Sequence, residues 1–223
     1  MRRLIEGNKH FRDEDFSRRA ELFKELAKAQ SPETLFITCS DSRIDPNLIT
    51  HSEPGDLFIV RNAGNIVPPH GLGGGESATI EFAITALGVR EVIICGHSAC
   101  GAMKGLLNPE ILDSMPTVAS WLTHAQATRA VIDQNYADET DKEALLAAAT
   151  EENVLIQLGN LMTLPSVAAL LAKGDLTLHG WVYKIGTGEV FAYDKGDDQF
   201  IPLEKYREPP IASAGHKPKY ASR

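Results

Sequence analysis

The sequence has no long hydrophobic run, few cysteines and little positive charge, and each shortage excludes a class of protein. No stretch approaches the roughly 18 consecutive apolar residues that a membrane-spanning helix needs. Three cysteines among 223 residues are too few for a disulfide framework, which favours a reducing compartment. The formal net charge of -8 argues against nucleic acid or an anionic membrane as the main partner. The first residues lack the apolar core of a secretory signal, so we expect a cytoplasmic protein.

Short apolar segments alternate with helical patterns along the chain. Apolar runs that stop at small polar residues predict buried strands at 35–38, 57–60 and 92–95. The partly alternating segment 176–183, a glycine turn and residues 189–193 predict an antiparallel hairpin at the sheet edge. Helices are predicted at 76–87, 101–107, 118–131, 142–161 and 165–173. We therefore expect the α/β class: a single domain with a mostly parallel sheet flanked by helices, an antiparallel edge hairpin and an N-terminal helix arm.

Two polar motifs each follow one of these predicted strands. Cys39-Ser40-Asp41-Ser42-Arg43 follows the first strand, and His97-Ser98-Ala99-Cys100-Gly101 follows the third. In a parallel sheet both motifs lie at the carboxyl edge, where α/β folds bind their ligands. Two thiols and an imidazole are a donor set that suits zinc, and three protein ligands leave a fourth position for water or substrate. The predicted ligands are therefore Cys39, His97 and Cys100, whereas Cys95 lies inside an apolar run and is predicted to serve packing.

Asp41 and Arg43 are two residues apart, close enough for a charge-assisted and even bidentate pair. Beside a metal ion, Asp41 would accept a hydrogen bond from zinc-bound hydroxide while Arg43 holds the carboxylate away from the ion. Without that restraint Asp41 would itself become the fourth ligand, as a closed state of the site. The alternative interpretation is an ordinary loop ion pair.

The second motif also imitates the nucleophile elbow of a serine hydrolase. In that interpretation Ser98 is the nucleophile, and Asp175 and His179 complete the triad. The fifth position of the elbow is cysteine where the motif has glycine, and the first cysteine motif is left without a role. The serine hydrolase is the runner-up, followed by a non-enzymatic zinc-stabilised scaffold or a zinc-stabilised relative that acts on another small electrophile such as carbon disulfide.

Both motifs closely resemble the signature stretches of the β-class carbonic anhydrases. The segments Arg61-Asn62-Ala63-Gly64-Asn65 and Gly180-Trp181-Val182-Tyr183 match that family as well, so the resemblance extends over nearly the whole chain up to its tail. Within the family, the chain looks nearest to bacterial members, particularly the cyanobacterial carboxysomal type. The resemblance implies a zinc lyase of carbon utilization. Such an enzyme, with one Zn²⁺ per subunit, reversibly hydrates CO2 to bicarbonate and a proton by means of zinc-bound hydroxide.

The resemblance also implies residue roles. Asp41 and Arg43 correspond to the catalytic dyad of the family. Gln30 corresponds to a glutamine that orients the substrate across a subunit interface. Phe58, Ala63 and Phe82 correspond to residues of an apolar CO2 pocket. Gly101 corresponds to the residue whose backbone N–H contacts the substrate. Members closed by bicarbonate carry tryptophan where this chain has Phe36, so the resemblance favours a permanently open site.

Region boundaries and partners complete the expectations. We expect an N-terminal helical arm at 1–30, packed either on a neighbouring subunit or on its own domain, and an α/β zinc-binding catalytic domain at 31–203. Residues 204–223 lack periodicity and are predicted to form a C-terminal surface tail. The resemblance implies a homodimer or a higher even oligomer. It also makes a carboxysome shell or scaffold protein a candidate partner, which would locate the enzyme inside a carboxysome.

Overall fold

The computed structural model describes residues 1–207. Six strands occur in this part of the chain: β1 (Thr34–Cys39), β2 (Leu57–Asn62), β3 (Glu91–His97), β4 (Thr177–Tyr183), β5 (Val190–Asp194) and β6 (Gln199–Pro202). Ten α-helices accompany them: α1 (Arg2–His10), α2 (Phe16–Arg18), α3 (Ala20–Leu26), α4 (Pro46–Thr50), α5 (Gly75–Glu81), α6 (Gly101–Leu107), α7 (Pro116–Leu122), α8 (Gln126–Asn135), α9 (Lys142–Met162) and α10 (Pro165–Lys173).

All six strands belong to one sheet, in the order β2-β1-β3-β4-β5-β6. The first four strands run parallel, and β5 and β6 add an antiparallel edge. The predicted α/β class with a mostly parallel sheet is therefore confirmed. The register pairs Cys39 with Asn62 and His97 with Tyr183, so the carboxyl ends of four neighbouring strands lie at the same edge.

The largest apolar core lies between the sheet and the long helix α9. It contains buried side chains from β1, β3 and both C-terminal helices, such as Leu35, Ile94, Val154 and Val167. A Cβ built on Gly96 or Gly180 would come within 2.9 Å of a Val154 methyl group. These two glycines therefore let α9 approach β3 and β4 closely, and this contact fixes the helix against a face of the sheet.

The N-terminal arm has an exposed first helix. Helices α1, α2 and α3 contain no buried residue, and Leu4 and Ile5 remain 65% and 64% exposed. Farther along, Phe16 stacks on Phe23 with ring centroids 5.0 Å apart. Arg19 forms an ion pair with Glu53 at 2.6 Å, which ties the start of α3 to the turn before β2.

The structure differs from the sequence prediction in two elements. The helix predicted at 118–131 is in fact two helices, α7 and α8, separated by a 3₁₀ turn at Thr123–Ala125. Strand β6 was not predicted, because its four residues show no clear alternation and end in proline. A single prolyl residue is tolerated at the end of an edge strand, where its missing N–H faces no partner strand.

The predicted tail at 204–223 is described only in its first four residues. Leu203–Lys205 form a 3₁₀ turn, and the Tyr206 hydroxyl lies 3.1 Å from Nδ1 of His179. The rest of the predicted tail, 208–223, lies outside the described residues. Within residues 1–207 no single helix is long and apolar enough to cross a membrane, and the one helix pair that passes the length and composition test together, α9 with α10, is bent by 88°.

Candidate metal centre

Three buried side chains converge at the carboxyl edge of the sheet. Cys39 is the last residue of β1, His97 the last residue of β3, and Cys100 the residue that precedes α6. Their two sulfur atoms and an imidazole nitrogen all lie within 4.8 Å of one another. Because β1 and β3 are parallel neighbours, their final residues are brought together by the sheet itself. The structure thus assembles the three residues that the sequence singled out as zinc ligands.

The imidazole of His97 is oriented for a ligand at this position. Its Nδ1 lies 3.0 Å from the carbonyl oxygen of Ser98, which can only accept, so Nδ1 carries the hydrogen. Its Nε2 is buried and has no hydrogen-bond partner in the described chain. An unpaired buried polar atom is costly, and a cation coordinated by Nε2 and the two sulfurs would remove that cost. The residues present therefore fit a zinc ion.

The two thiols share their ionisation. The pKa of Cys39 is lowered, chiefly because the thiol of Cys100 donates a hydrogen bond to its sulfur. The same interaction with Cys39 is the main cause that raises the pKa of Cys100. One thiolate of the pair thus forms readily, and the second needs a cation to stabilise it. The backbone N–H of Gly64 also donates to the Cys39 sulfur, at 3.4 Å.

A bidentate ion pair lies beside the cluster. Asp41 Oδ1 accepts hydrogen bonds from the backbone N–H and the Nε of Arg43, and Oδ2 accepts from Nη2 at 2.7 Å. The Arg43 guanidinium holds the pKa of Asp41 well below its usual range. Asp41 Oδ2 is also 3.8 Å from His97 Nε2. The carboxylate therefore lies beside the three predicted metal ligands, and its hydrogen bonds to the guanidinium fix its orientation.

Arg61 holds the loop that carries Asp41. Its Nε donates to the carbonyl oxygen of Cys39 at 3.0 Å, and its Nη2 donates to those of Asp41 and Ile44 at 2.7 and 3.0 Å. Arg61 lies in one of the segments that carry the family resemblance, but the sequence alone indicated no role for it. A long cationic side chain near the carboxyl end of β2 was the available signal, because the carboxyl ends of parallel strands are where such sheets bind ligands.

A single subunit contains part of the predicted substrate pocket. Phe58 and Phe82 are neighbours, with ring centroids 6.1 Å apart, and Phe82 is 48% exposed. Ala63 is exposed in the loop after β2. A Cβ built on Gly101 would meet nothing within 4 Å, so there is space beside the start of α6. Gln30 is exposed between α3 and β1 and makes no hydrogen bond to the cluster within the described chain.

The hydrolase triad is not assembled. The hydroxyl of Ser98 accepts a hydrogen bond from the Ile185 N–H, and both ring nitrogens of His179 are engaged elsewhere, by Glu91 at 2.8 Å and by Tyr206. His179 pairs with Ile93 in the sheet register, near the amino ends of β3 and β4, whereas Ser98 follows their carboxyl ends. The triad of Ser98, Asp175 and His179 that the alternative hydrolase interpretation needs is therefore not formed. Cys95 is fully buried, and burial raises its pKa to about 12, as expected of a packing residue.

Gly64 leaves little space for a side chain in the loop after β2. It adopts φ +85°, and an added Cβ would come within 2.9 Å of the Ala102 Cβ. We expect Gly64→Ala to lower the free energy of unfolding by about 2 kcal/mol in urea denaturation, since strain and overpacking combine. The matched control is Gly88→Ala, because Gly88 has φ +73° but no atom within 4 Å of an added Cβ. That variant should lose about 1 kcal/mol, from backbone strain alone. Equal losses would contradict the close approach of Gly64 to α6.

Comparison with known proteins gives consistent matches along most of the chain. The sequence profile of the family described as "Carbonic anhydrase" matches residues 34–190. A carbonic anhydrase of Synechocystis sp. is 53% identical over 196 residues, which cover 87% of this chain and 71% of that protein. A carbonic anhydrase of Pseudomonas aeruginosa is 46% identical over 223 residues and covers 99% of both chains.

Solved structures agree with the sequence matches. The β-carbonic anhydrase CcaA superposes with a TM-score of 0.90 at 50% identity and covers 93% of each chain. One of two tetrameric β-carbonic anhydrases from Sordaria macrospora superposes with a TM-score of 0.77 at 30% identity and covers 86% of this chain and 95% of its own.

Proposed function

This chain belongs to the β-class carbonic anhydrases, and from that premise we propose that Asp41 and Arg43 are the catalytic pair of a zinc-dependent, reversible CO2 hydration. The observation that carries the proposal is the position of the Asp41 carboxylate, fixed by Arg43 and only 3.8 Å from the unpartnered Nε2 of His97. Cys39, His97 and Cys100 would hold the ion. When bound, zinc supplies the acidity that makes water a nucleophile near neutral pH.

Asp41 would orient the attacking water. Its Oδ2 lies at the border of the cluster and, as a carboxylate, it can only accept hydrogen bonds, so it selects a water whose O–H points toward it. Arg43 uses three donors to fix the two carboxylate oxygens and anchors its own Nη2 to the Ala99 carbonyl oxygen at 3.2 Å. This arrangement fixes the direction of the carboxylate before the substrate arrives, and such preorganisation lowers a barrier effectively.

The substrate would enter between apolar and hydrogen-bonding groups. CO2 has no charge, and the rings of Phe58 and Phe82 offer it an apolar surface that excludes water. The negative charge of the product would be met by the Gly101 N–H, one of the free donors of the first turn of α6, with Ala63 as a further wall of the pocket. Gln30 would complete the pocket from a neighbouring subunit, and its exposure in the single chain is consistent with that role.

Stopped-flow CO2 hydration tests this function directly. We expect the purified protein with one zinc per chain to hydrate CO2, the chelator-treated protein to lose this activity, and one equivalent of zinc to restore it. Carbon disulfide serves as the alternative substrate in the same preparation. Activity that survives complete removal of zinc, or turnover of carbon disulfide without CO2 hydration, would refute the proposal.

A homodimer or higher even oligomer is the proposed assembly. It is supported by the exposed apolar side chains of α1, Leu4 and Ile5, and by the tetrameric state named for the Sordaria macrospora relatives. The arm at 1–30 would pack on the catalytic domain, 31–203, of a second copy. We expect the double variant Leu4→Glu/Ile5→Glu to sediment as a smaller species than the wild type. The control is Leu72→Glu, since Leu72 is also 64% exposed but lies outside the arm. An unchanged sedimentation coefficient of the double variant would refute the role of the arm.

A cytoplasmic location is also proposed, on the ground that all three cysteines are free thiols. Association with a carboxysome shell or scaffold protein, and a role of 204–223 as a surface tail, stay predictions. A fluorescent fusion of the full chain would test the first of them: puncta that coincide with carboxysomes support it, and a diffuse signal contradicts it.

A further inference from the structure

One peptide unit links the metal-site sulfur to a tryptophan. The N–H of Gly64 donates to the Cys39 sulfur at 3.4 Å. The carbonyl oxygen of the same peptide unit belongs to Ala63, and it accepts a hydrogen bond from the indole Nε1 of Trp121 at 2.8 Å. The indole N–H, the peptide and the sulfur thus form one continuous hydrogen-bond chain. The sequence motifs indicate neither Trp121 nor this series of hydrogen bonds.

Helix α9 anchors the next peptide of this loop. The side-chain Nδ2 of Asn153 donates to the carbonyl oxygen of Gly64 at 3.0 Å, and the Asn153 Oδ1 accepts from Gln157 at 3.0 Å. Gln157 in turn accepts from the Val67 N–H at 2.9 Å. Both amide side chains are buried, at 1% and 0% exposure. The loop after β2 is therefore fixed by α7 on one side and by α9 on the other.

The second tryptophan offers a contrast within the same chain. The sequence contains two tryptophans, Trp121 and Trp181. The indole N–H of Trp181 is buried without a hydrogen-bond partner in the described chain, and its ring packs against Phe36. Loss of the Trp181 N–H therefore removes no hydrogen bond, whereas loss of the Trp121 N–H removes one that reaches a metal-ligand sulfur.

We propose that Trp121 is a positioning residue for Cys39, acting through the Ala63–Gly64 peptide. A donor on the carbonyl oxygen polarises the peptide and strengthens the hydrogen bond that its N–H makes. That stronger bond draws electron density from the sulfur, and groups that hydrogen-bond to metal ligands tune the properties of the metal. The inference rests on the proposed zinc site, and it identifies Trp121 as the group that limits how much charge Cys39 donates to the ion.

Cobalt(II) in place of zinc gives a direct readout, because its thiolate-to-metal charge-transfer band reports the electron density on sulfur. We expect Trp121→Phe to move this band to longer wavelength at a cobalt stoichiometry near one. In the zinc enzyme the same variant should raise the apparent pKa of the CO2 hydration profile by about half a unit, with KM unchanged. The control, Trp181→Phe, should leave both the band and the pH profile as in the wild type.

A second measurement covers the case in which Trp121→Phe folds poorly. Biosynthetic 5-fluorotryptophan in a Trp181→Phe background changes only Trp121, with almost no change in volume, and makes its N–H a stronger donor. The band should then move to shorter wavelength. A band that stays in place with 5-fluorotryptophan, or with Trp121→Phe at full cobalt occupancy, overturns the proposal. A wild-type protein without any thiolate-to-cobalt band would instead overturn the metal site, and thus the proposed function.

Discussion

Replacing Cys39 by serine is expected to remove the zinc ion and, with it, CO2 hydration. The sulfur of Cys39 is one of three ligand atoms within 4.8 Å of one another, and serine offers a hydroxyl that stays protonated where the thiol ionises. Loss of a partner that merely supports a ligand already costs roughly 10–100-fold in metal affinity or activity, so loss of a ligand should cost more. Atomic absorption on the dialysed variant should show far less than one zinc per chain, and stopped-flow assays should show no activity above the buffer.

Cys95→Ser is the matched control for this experiment. Cys95 is fully buried two residues before His97, and its thiol donates to the Gly96 carbonyl oxygen at 3.4 Å, a bond that a serine hydroxyl can also make. This variant should keep one zinc per chain, although a polar atom in an apolar core lowers stability somewhat. A Cys39→Ser protein that retains stoichiometric zinc would remove Cys39 from the ligand set, and zinc loss in both variants would point to general unfolding.

The ligand triad could be predicted from sequence because strand topology alone brings it together. Cys39 and His97 end parallel strands that are neighbours in the sheet, and Cys100 follows His97 by three residues, so the pairing of β1 with β3 is the one non-local contact that the triad needs. The Asp41–Arg43 pair was predictable as well, since the two residues are two positions apart and the bond is local. Where chemistry is concentrated in short motifs at strand ends, the pattern of residues largely determines the site.

The groups that support these ligands could not be predicted in this way. The bond from Trp121 to Ala63 spans 58 residues, and that from Asn153 to Gly64 spans 89. Both depend on where α7 and α9 lie relative to the loop after β2, and helical periodicity predicts a helix without its position over the sheet. Asn153 and Gln157 also occupy the buried face of α9, where an apolar pattern is expected, and they are polar because they hydrogen-bond to the loop backbone.

The edge strand β6 also could not be predicted from the sequence. Strand β6 pairs with β5 in an antiparallel register, with Phe200 opposite Tyr193. A segment of four residues is too short for an alternation to be recognised, and only its pairing with β5 identifies it as a strand.

The break between α7 and α8 is likewise a consequence of packing, because the Trp121 end of α7 bonds to Ala63 while α8 lies against α9.

Arg43→Ala is expected to lower kcat/KM for CO2 hydration by about 10²–10³-fold while zinc stays bound. Within the described chain the guanidinium donates to Asp41 and to the Ala99 carbonyl oxygen and to none of the three ligands, so metal analysis should still give one zinc per chain. The Asp41 carboxylate, however, loses the bidentate partner that fixes it 3.8 Å from the imidazole nitrogen. It is then free to coordinate the ion and to occupy the position that solvent or substrate needs. Arg43→Lys should be impaired as well, since an ammonium cannot reproduce the two-point fork.

Anion binding distinguishes coordination of the ion by Asp41 from a loss of catalytic activity alone. In Arg43→Ala the carboxylate should compete with azide for the ion, so the azide affinity of the zinc enzyme should fall together with turnover. The double variant Arg43→Ala/Asp41→Ala removes the competitor, and its azide affinity should return toward the wild-type value while hydration stays slow. The comparison works because both residues lie on one short loop that Arg61 holds through three carbonyl oxygens, so the surrounding backbone is the same in each variant. Wild-type turnover in Arg43→Ala would exclude the pair from the reaction. Unchanged azide affinity with slow turnover would show that Arg43 acts without restraining Asp41.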